Sequence, residues 1–193
     1  MTRAQVVVAG LGVLLVSACS GSGSGDAASA PPALVTPRAA APGGAVLTVG
    51  PVAVTVPASM TRLDSLRAKP GEQVGGYRSA PGPDGRAAAV LVTVAATAAR
   101  SPKAEGEALV GLKRDVQKAT GVSMTPVSFP GLSDAVAVQY DNAPPSPLHG
   151  LVVLAKGQGG QLVNVTALAP RALFDSLDLE RAVASLRVTG TSG

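Results

Sequence analysis

Tryptophan is absent, and Tyr77, Phe129, Tyr140 and Phe174 are the only aromatic side chains, 2% of a 193-residue chain. Aromatics are the usual anchors of a binding surface, and with so few the expectation is that they fill the core, the alternative being that the polar ends of Tyr77 and Tyr140 face a groove. The core must be built from Val, Ala and Leu, with the four aromatics filling it, and smaller side chains bury less area each. There is one cysteine, Cys19, and one histidine, His149. That excludes an internal disulfide and a zinc site of Cys/His ligands. Charged residues make up 15% of the chain and the formal net charge is +4. With no run of five or more Lys/Arg and no basic face interleaved with aromatics, nucleic acid is excluded as a partner. The longest apolar run, Val6 to Val16, has 11 residues. It falls short of the ~20 that span a bilayer as a helix.

That run nevertheless sits in an informative place. Met1-Thr2-Arg3 is a short positive start, and the apolar run ends in Val16-Ser17-Ala18-Cys19. A basic n-region, a short h-region and small residues before a cleavage point describe a secretory signal. The aliphatic-small-small-Cys ending resembles the lipobox of bacterial lipoproteins, in which the Cys thiol receives a diacylglyceryl group. Residues 1–18 are accordingly expected to be a signal peptide, cut between Ala18 and Cys19, with Cys19 lipidated. Lipidation also consumes a thiol that would otherwise stand unpaired outside the cell. Loss of Arg3 with the leader lowers the formal charge to about +3. Several acyl chains, at ~0.8 kcal/mol per buried CH₂, make a durable anchor where one chain would not.

After Cys19 the chain runs through Ser, Gly, Ala and Pro to residue 44 (SGSGSGDAASAPPALVTPRAAAPGG). This composition predicts a tether, coil at first and polyproline-like later, with a reach of roughly 25–30 Å. A single domain is expected over 45–189. Val46–Val49 and the alternating Val52-Ala53-Val54-Thr55-Val56 read as strands around Gly50-Pro51. Met60–Leu63 reads as a turn or helical piece, Gln73–Ser79 as a strand, Pro81–Gly85 as a turn, and Ala87–Ala96 as a buried strand. Ser101-Pro102 opens a helix, with Ser as N-cap and Pro at the first helical position. Ala108, Leu109, Leu112, Val116 and Ala119 form its predicted apolar stripe, and Gly121 its stop. Strands follow over Met124–Phe129, Ala135–Tyr140, Leu148–Lys156 and Gln161–Ala169. The last two flank Gly157-Gln158-Gly159-Gly160, a hairpin turn. Asp178 caps a final helix carrying Leu179, Ala182, Val183 and Leu186. The pattern predicts an α+β domain, an antiparallel sheet with two packed helices.

The sequence pattern resembles a known family. Val54-Thr55-Val56-Pro57, a long central strand, a Ser-initiated amphipathic helix, Gly131 leading through Ala135-Val136 into a Tyr-ended strand, and the closing Ala184-Ser185-Leu186-Arg187-Val188 resemble the PsbP-like fold. Within that fold the chain resembles the LpqN-type lipoproteins of actinobacteria, over roughly residues 46–189. Members often carry a Trp or other aromatic soon after the Val-Pro; here the nearby bulky residue is Met60. The resemblance implies a surface-anchored domain and brings no catalytic residues with it.

No catalytic or metal constellation is legible. His149 lies beside prolines at a loop-to-strand junction and reads as an ordinary surface histidine; no G-x-S-x-G elbow accompanies it. Asp175, Asp178 and Glu180 lack the spacing of a calcium loop. Gly157–Gly160 lacks the Gly-Lys-Ser/Thr of a phosphate loop. Asn164-Val165-Thr166 is an incidental sequon on a strand. The expectation is a non-enzymatic binding or accessory domain without cofactor or metal. It is held through Cys19 on the extracytoplasmic face of the cell membrane, with an envelope protein, a glycan or a lipidic ligand as partner. The rival expectations are an envelope hydrolase or transferase, and an accessory subunit of a transport or secretion assembly.

Overall fold

Alternation of β-branched residues with small ones across Gly50-Pro51 folds the first two strands into a hairpin. β1 (Ala45–Val49) pairs antiparallel with β2 (Val52–Val56), Val49 facing Val52 across the turn. The computed structural model describes residues 33–189. The remaining strands are β3 (Thr61–Arg62), β4 (Glu72–Arg78), β5 (Ala89–Ala95), β6 (Thr120–Pro126), β7 (Ser133–Asp141), β8 (His149–Lys156), β9 (Leu162–Ala169) and β10 (Arg187–Val188). The helices are α1 (Pro102–Gly111), α2 (Arg171–Ser176) and α3 (Leu179–Ala184). A seven-stranded antiparallel sheet runs in the order β3-β4-β5-β9-β8-β7-β6, and β1-β2-β10 form a small second sheet. The architecture is α+β.

Period-two alternation divides the large sheet into two faces. Val90, Val92 and Val94 of β5, Val163, Val165 and Ala167 of β9, and Leu151, Val153 and Ala155 of β8 join the main core. The small sheet and α3 cover that face, adding Leu47, Val52, Val54, Val56, Leu179 and Val183. The other face, through Val136, Val138, Tyr140, Val152 and Leu154, packs beneath α1. Phe129, Tyr140 and Phe174 are buried, and Tyr77 packs half-buried against the main core.

Four local expectations change. Residues 33–44 are not all tether: Val35 is 2% exposed and belongs to the core. Leu34 N–H donates to Thr125 Oγ1 at 3.0 Å, and Arg38 N–H donates to the Ala184 carbonyl at 2.9 Å. A Leu-Val pair within a Pro/Ala stretch finds an apolar seat that composition alone does not reveal. Met60–Leu63 contributes a two-residue edge strand, β3, and Met60 itself is core. The final helix, α3, begins after Asp178 at its N-cap position as expected, but Asp178 adopts a left-handed backbone (φ 50°, ψ 49°) with no side-chain cap hydrogen bond, and a third helix, α2, precedes it.

The fourth change concerns α1. Ser101 caps it as expected, accepting from Ala104 N–H at 3.2 Å, with Pro102 next. But the buried side is Pro102, Gly106, Leu109 and Val110, while Ala108, Leu112 and Val116 are exposed. Gly106 permits this: a Cβ there would stand 2.7 Å from Met124 Sδ and 3.0 Å from Val136 Cγ2. The helix settles on its smallest residue. From Leu112 to Val116 it widens into a π turn, Gln117 N–H reaching back to the Leu112 carbonyl. The wider turn shifts every later residue around the axis. Helical winding ends at Gln117, Lys118 takes the left-handed conformation (φ 53°), and Gly121 already belongs to β6.

Candidate functional site: a charged cleft around His149

β7 and β8 are joined by the proline-rich loop 142–148 and pair so that Asp141 faces His149. Adjacent residues on neighbouring antiparallel strands present their side chains on one face. His149 Nδ1 and Asp141 Oδ1 are 2.9 Å apart. On the other side His149 faces Ala169, the last residue of β9, and the chain turns through Pro170 straight into α2. That turn sets Arg171 over the imidazole: Nη1 lies 3.2 Å from His149 Nε2 and Nη2 lies 3.4 Å from Asp141 Oδ2. Phe174, one turn on, meets the ring edge to face with centroids 4.6 Å apart. His149 is 5% exposed. It is therefore no surface residue. Its neighbours come from three elements separated in sequence, which a linear reading does not bring together.

The hydrogen bonds assign the tautomer. Guanidinium only donates, so Nε2 accepts from Arg171 and the ring proton sits on Nδ1, donated to Asp141. Both nitrogens are thereby committed. A general base needs a free lone pair within reach of a nucleophile, and the residues lining the cleft include no Ser, Thr or Cys. The arrangement holds charge in place and orients Arg171, which keeps N–H donors free because its side chain is 57% exposed.

The cleft beside this cluster encloses about 240 Å³ between the β7–β8 end of the sheet and the two short helices. Leu34, Gln139, Arg171, Asp175 and Asp178 are among its walls. Asp175, Asp178 and Glu180, dismissed above as a calcium loop, thus do come together in space. Glu180 is shared with Arg38 at 3.5 Å. Among the described residues, no group of three or more His, Cys, Asp or Glu side chains is placed to hold a metal ion. A non-glycine residue in the left-handed region, such as Asp178, costs energy that surrounding structure must hold, and such residues gather at functional sites.

On the opposite face, the Tyr140 ring lies across Gly150, its cross-strand partner, where a Cβ would clash with the phenol end of the ring. Lys113 of the π turn caps it, Nζ 3.9 Å from the ring centroid. Burial pushes the Tyr140 phenol up and the Lys113 ammonium down from their ordinary values. Gly157–Gly160 makes the β8–β9 hairpin turn, Gly157 N–H bonding the Gln161 carbonyl. Ala18 and Cys19 lie outside the described residues. Among the described residues, no helix is long and apolar enough to cross a membrane.

The sequence matches no family model and no curated protein. Solved structures with a similar fold include three of low identity. Cyanobacterial PsbP from Synechocystis is 12% identical, with 71% of this chain and 86% of that one covered and a TM-score of 0.49. A Pseudomonas aeruginosa protein of unknown function is 13% identical, with 77% and 99% covered and a TM-score of 0.48. LpqN of Mycobacterium tuberculosis, described as involved in cell envelope biogenesis, is 16% identical, with 80% and 90% covered and a TM-score of 0.49. Two of the three are of the PsbP and LpqN kinds that the sequence resembles.

Proposed function

We propose that this chain is a lipid-anchored accessory protein of a bacterial envelope. In this reading it is cleaved before Cys19, acylated there, and held on the extracytoplasmic face of the cell membrane, where it binds a partner molecule and does not transform one. The observation that carries the reading is Val16-Ser17-Ala18-Cys19 directly after the apolar run that begins at Val6. Intact mass of the protein purified from membranes tests it. The expected species begins at Cys19 and carries diacylglycerol, with or without a further acyl chain; Cys19→Ala accumulates as uncleaved precursor. An unmodified chain, or one that begins elsewhere, refutes the anchor.

The binding part of the proposal is supported by the His149 cleft. Its buried imidazole has no free nitrogen for acid–base work, while Arg171, Gln139, Asp175 and Asp178 offer hydrogen bonds at the walls. A volume of about 240 Å³ lies below the ~300–1,000 Å³ of sites that enclose drug-sized molecules. A sugar-sized polar group fits this lining; an acyl chain does not. The reconstituted protein is expected to bind soluble fragments of envelope glycan in calorimetry, with Arg171→Ala and Asp178→Asn each weakening binding. Absence of heat with every fragment sinks the glycan reading.

A further inference from the structure

Among the described residues, three large apolar side chains stand exposed: Val46 at 52%, Leu112 at 45% and Val116 at 71%. Two of them share one turn, the π turn closing α1. Ala108, one turn earlier, extends the same exposed row. Apolar side chains scattered singly on a surface need no explanation, but a contiguous group does. The surrounding residues give that group a chemistry. Lys113, Arg114 and Lys118 flank it, against Asp115 on the turn itself and Glu107, which Lys103 approaches to 3.9 Å. Arg114 Nη2 is held at 3.3 Å by the Val122 carbonyl, while Lys113 turns inward onto Tyr140 and Asn142, which leaves Arg114 and Lys118 as the cations at the rim. A short helical surface with exposed Leu and Val inside a rim of Lys and Arg is the pattern of interfacial, headgroup-seeking segments.

The entry of the chain into the domain points to the same occupant. Leu34 is fastened to Thr125 of β6, the edge strand into which the π turn itself leads. About five residues of strand, roughly 17 Å, separate Thr125 from the start of β6. From Cys19 to Ala33 the backbone reaches at most about 50 Å, at ~3.5 Å per residue. A tether of that length from an acylated Cys19 lets this edge of the domain reach the bilayer. We infer that the exposed turn Leu112–Lys118 docks on the anionic surface of the membrane that carries the anchor, Leu112 and Val116 entering the headgroup layer and Arg114 and Lys118 meeting lipid phosphates. The inference rests on the anchored reading above. Docking fixes the orientation of the domain and thereby which way the His149 cleft faces.

The absence of tryptophan makes the test direct. Full-length protein, purified from membranes with whatever anchor it acquires, is reconstituted into vesicles as Val116→Trp, and separately as Val46→Trp, a control on the small sheet. Vesicles are phosphatidylcholine alone or phosphatidylcholine with phosphatidylglycerol, each with and without brominated acyl chains. In phosphatidylglycerol vesicles the emission of Val116→Trp is expected to shift to the blue and to be quenched by bromine, while Val46→Trp does neither. Each cation close to an anionic surface is worth about fivefold in association. Adding Arg114→Gln and Lys118→Gln to Val116→Trp is therefore expected to cut the docked-to-free ratio by roughly 25-fold. High salt is expected to act in the same direction. Equal behaviour of the two tryptophans, or no response to phosphatidylglycerol, overturns the inference. The intact mass of the same preparation decides the anchor separately: an acylated chain whose Val116→Trp stays in water refutes docking alone. A chain with no acyl group whose Val116→Trp is still quenched refutes the anchor and leaves docking standing.

Discussion

Ser185 offers a sharp test of how the small sheet is held. β2 pairs with β10 through Ala53↔Arg187, and Thr189 N–H donates to the Pro51 carbonyl at 2.7 Å. Two residues further along β2, the ladder calls for another acceptor opposite Thr55 N–H. The backbone there has already turned into α3, and the Ser185 hydroxyl takes its place: Oγ accepts from Thr55 N–H at 2.7 Å and donates to the Ala182 carbonyl at 2.7 Å. Ser185 is 5% exposed. Ser185→Ala opens almost no cavity, so its cost is that of a buried N–H left without a partner, about 1–3 kcal/mol. Taking 2 kcal/mol as the centre, and ~2–4 °C per kcal/mol for a domain of this size, the melting temperature is expected to fall by about 4–8 °C. Urea unfolding followed by circular dichroism measures both the midpoint and the slope. The slope should not change, because the surface exposed on unfolding is the same. A loss below about 0.5 kcal/mol would refute the assignment of Ser185 as the replacement rung.

Further outcomes follow from the same packing. Gly150→Ala drives a methyl into the Tyr140 ring and is expected to cost about 1–3 kcal/mol; in a Tyr140→Ala background most of that cost should vanish, a coupling a double-mutant cycle reads. Burial raises the Tyr140 phenol above 10.0. The unfolded chain then ionises first, so this contribution to stability is intact below pH 10.0 and is lost as pH rises through the folded value; Tyr140→Phe should lack that loss. Lys113 is lowered below 10.5, so its burial penalty is present at neutral pH and relieved as pH climbs toward 10.5; Lys113→Met should flatten that rise in unfolding curves taken from pH 8 to 11. Val35→Ser puts a hydroxyl into the core from the segment ahead of the first strand and is expected to cost about 2–3 kcal/mol. No measurable change would return that segment to the tether.

Local chemistry in this chain is legible without coordinates. Ser101-Pro102 starts a helix because the hydroxyl caps a free N–H and proline lacks one to cap. Val90–Val94 and Val163–Val165 alternate because a strand shows one face to the core. Gly157–Gly160 turns because glycine tolerates the turn's backbone. These depend on neighbours within a few residues, and they suffice for the α+β class and most strands. The anchor proposed at Cys19 rests on a linear pattern of the same local kind, and its test is the intact mass of the mature protein.

Tertiary structure decided what depends on distant partners. Which side of α1 is buried was set by Gly106, whose missing side chain lets Met124 and Val136 approach, and the π turn then shifts the residues after Leu112 around the axis. Helical periodicity finds an apolar stripe but not the neighbour against which it packs, so the row pointing to solvent read as core. Val35 joined the domain because the main core left a seat for it. His149 became the centre of a charged cluster only when β7, β8 and α2 set Asp141 and Arg171 against its two nitrogens. Hydrogen bonds made across 8 and 22 residues of sequence leave no periodic trace, because their geometry belongs to the sheet register and to the turn through Pro170.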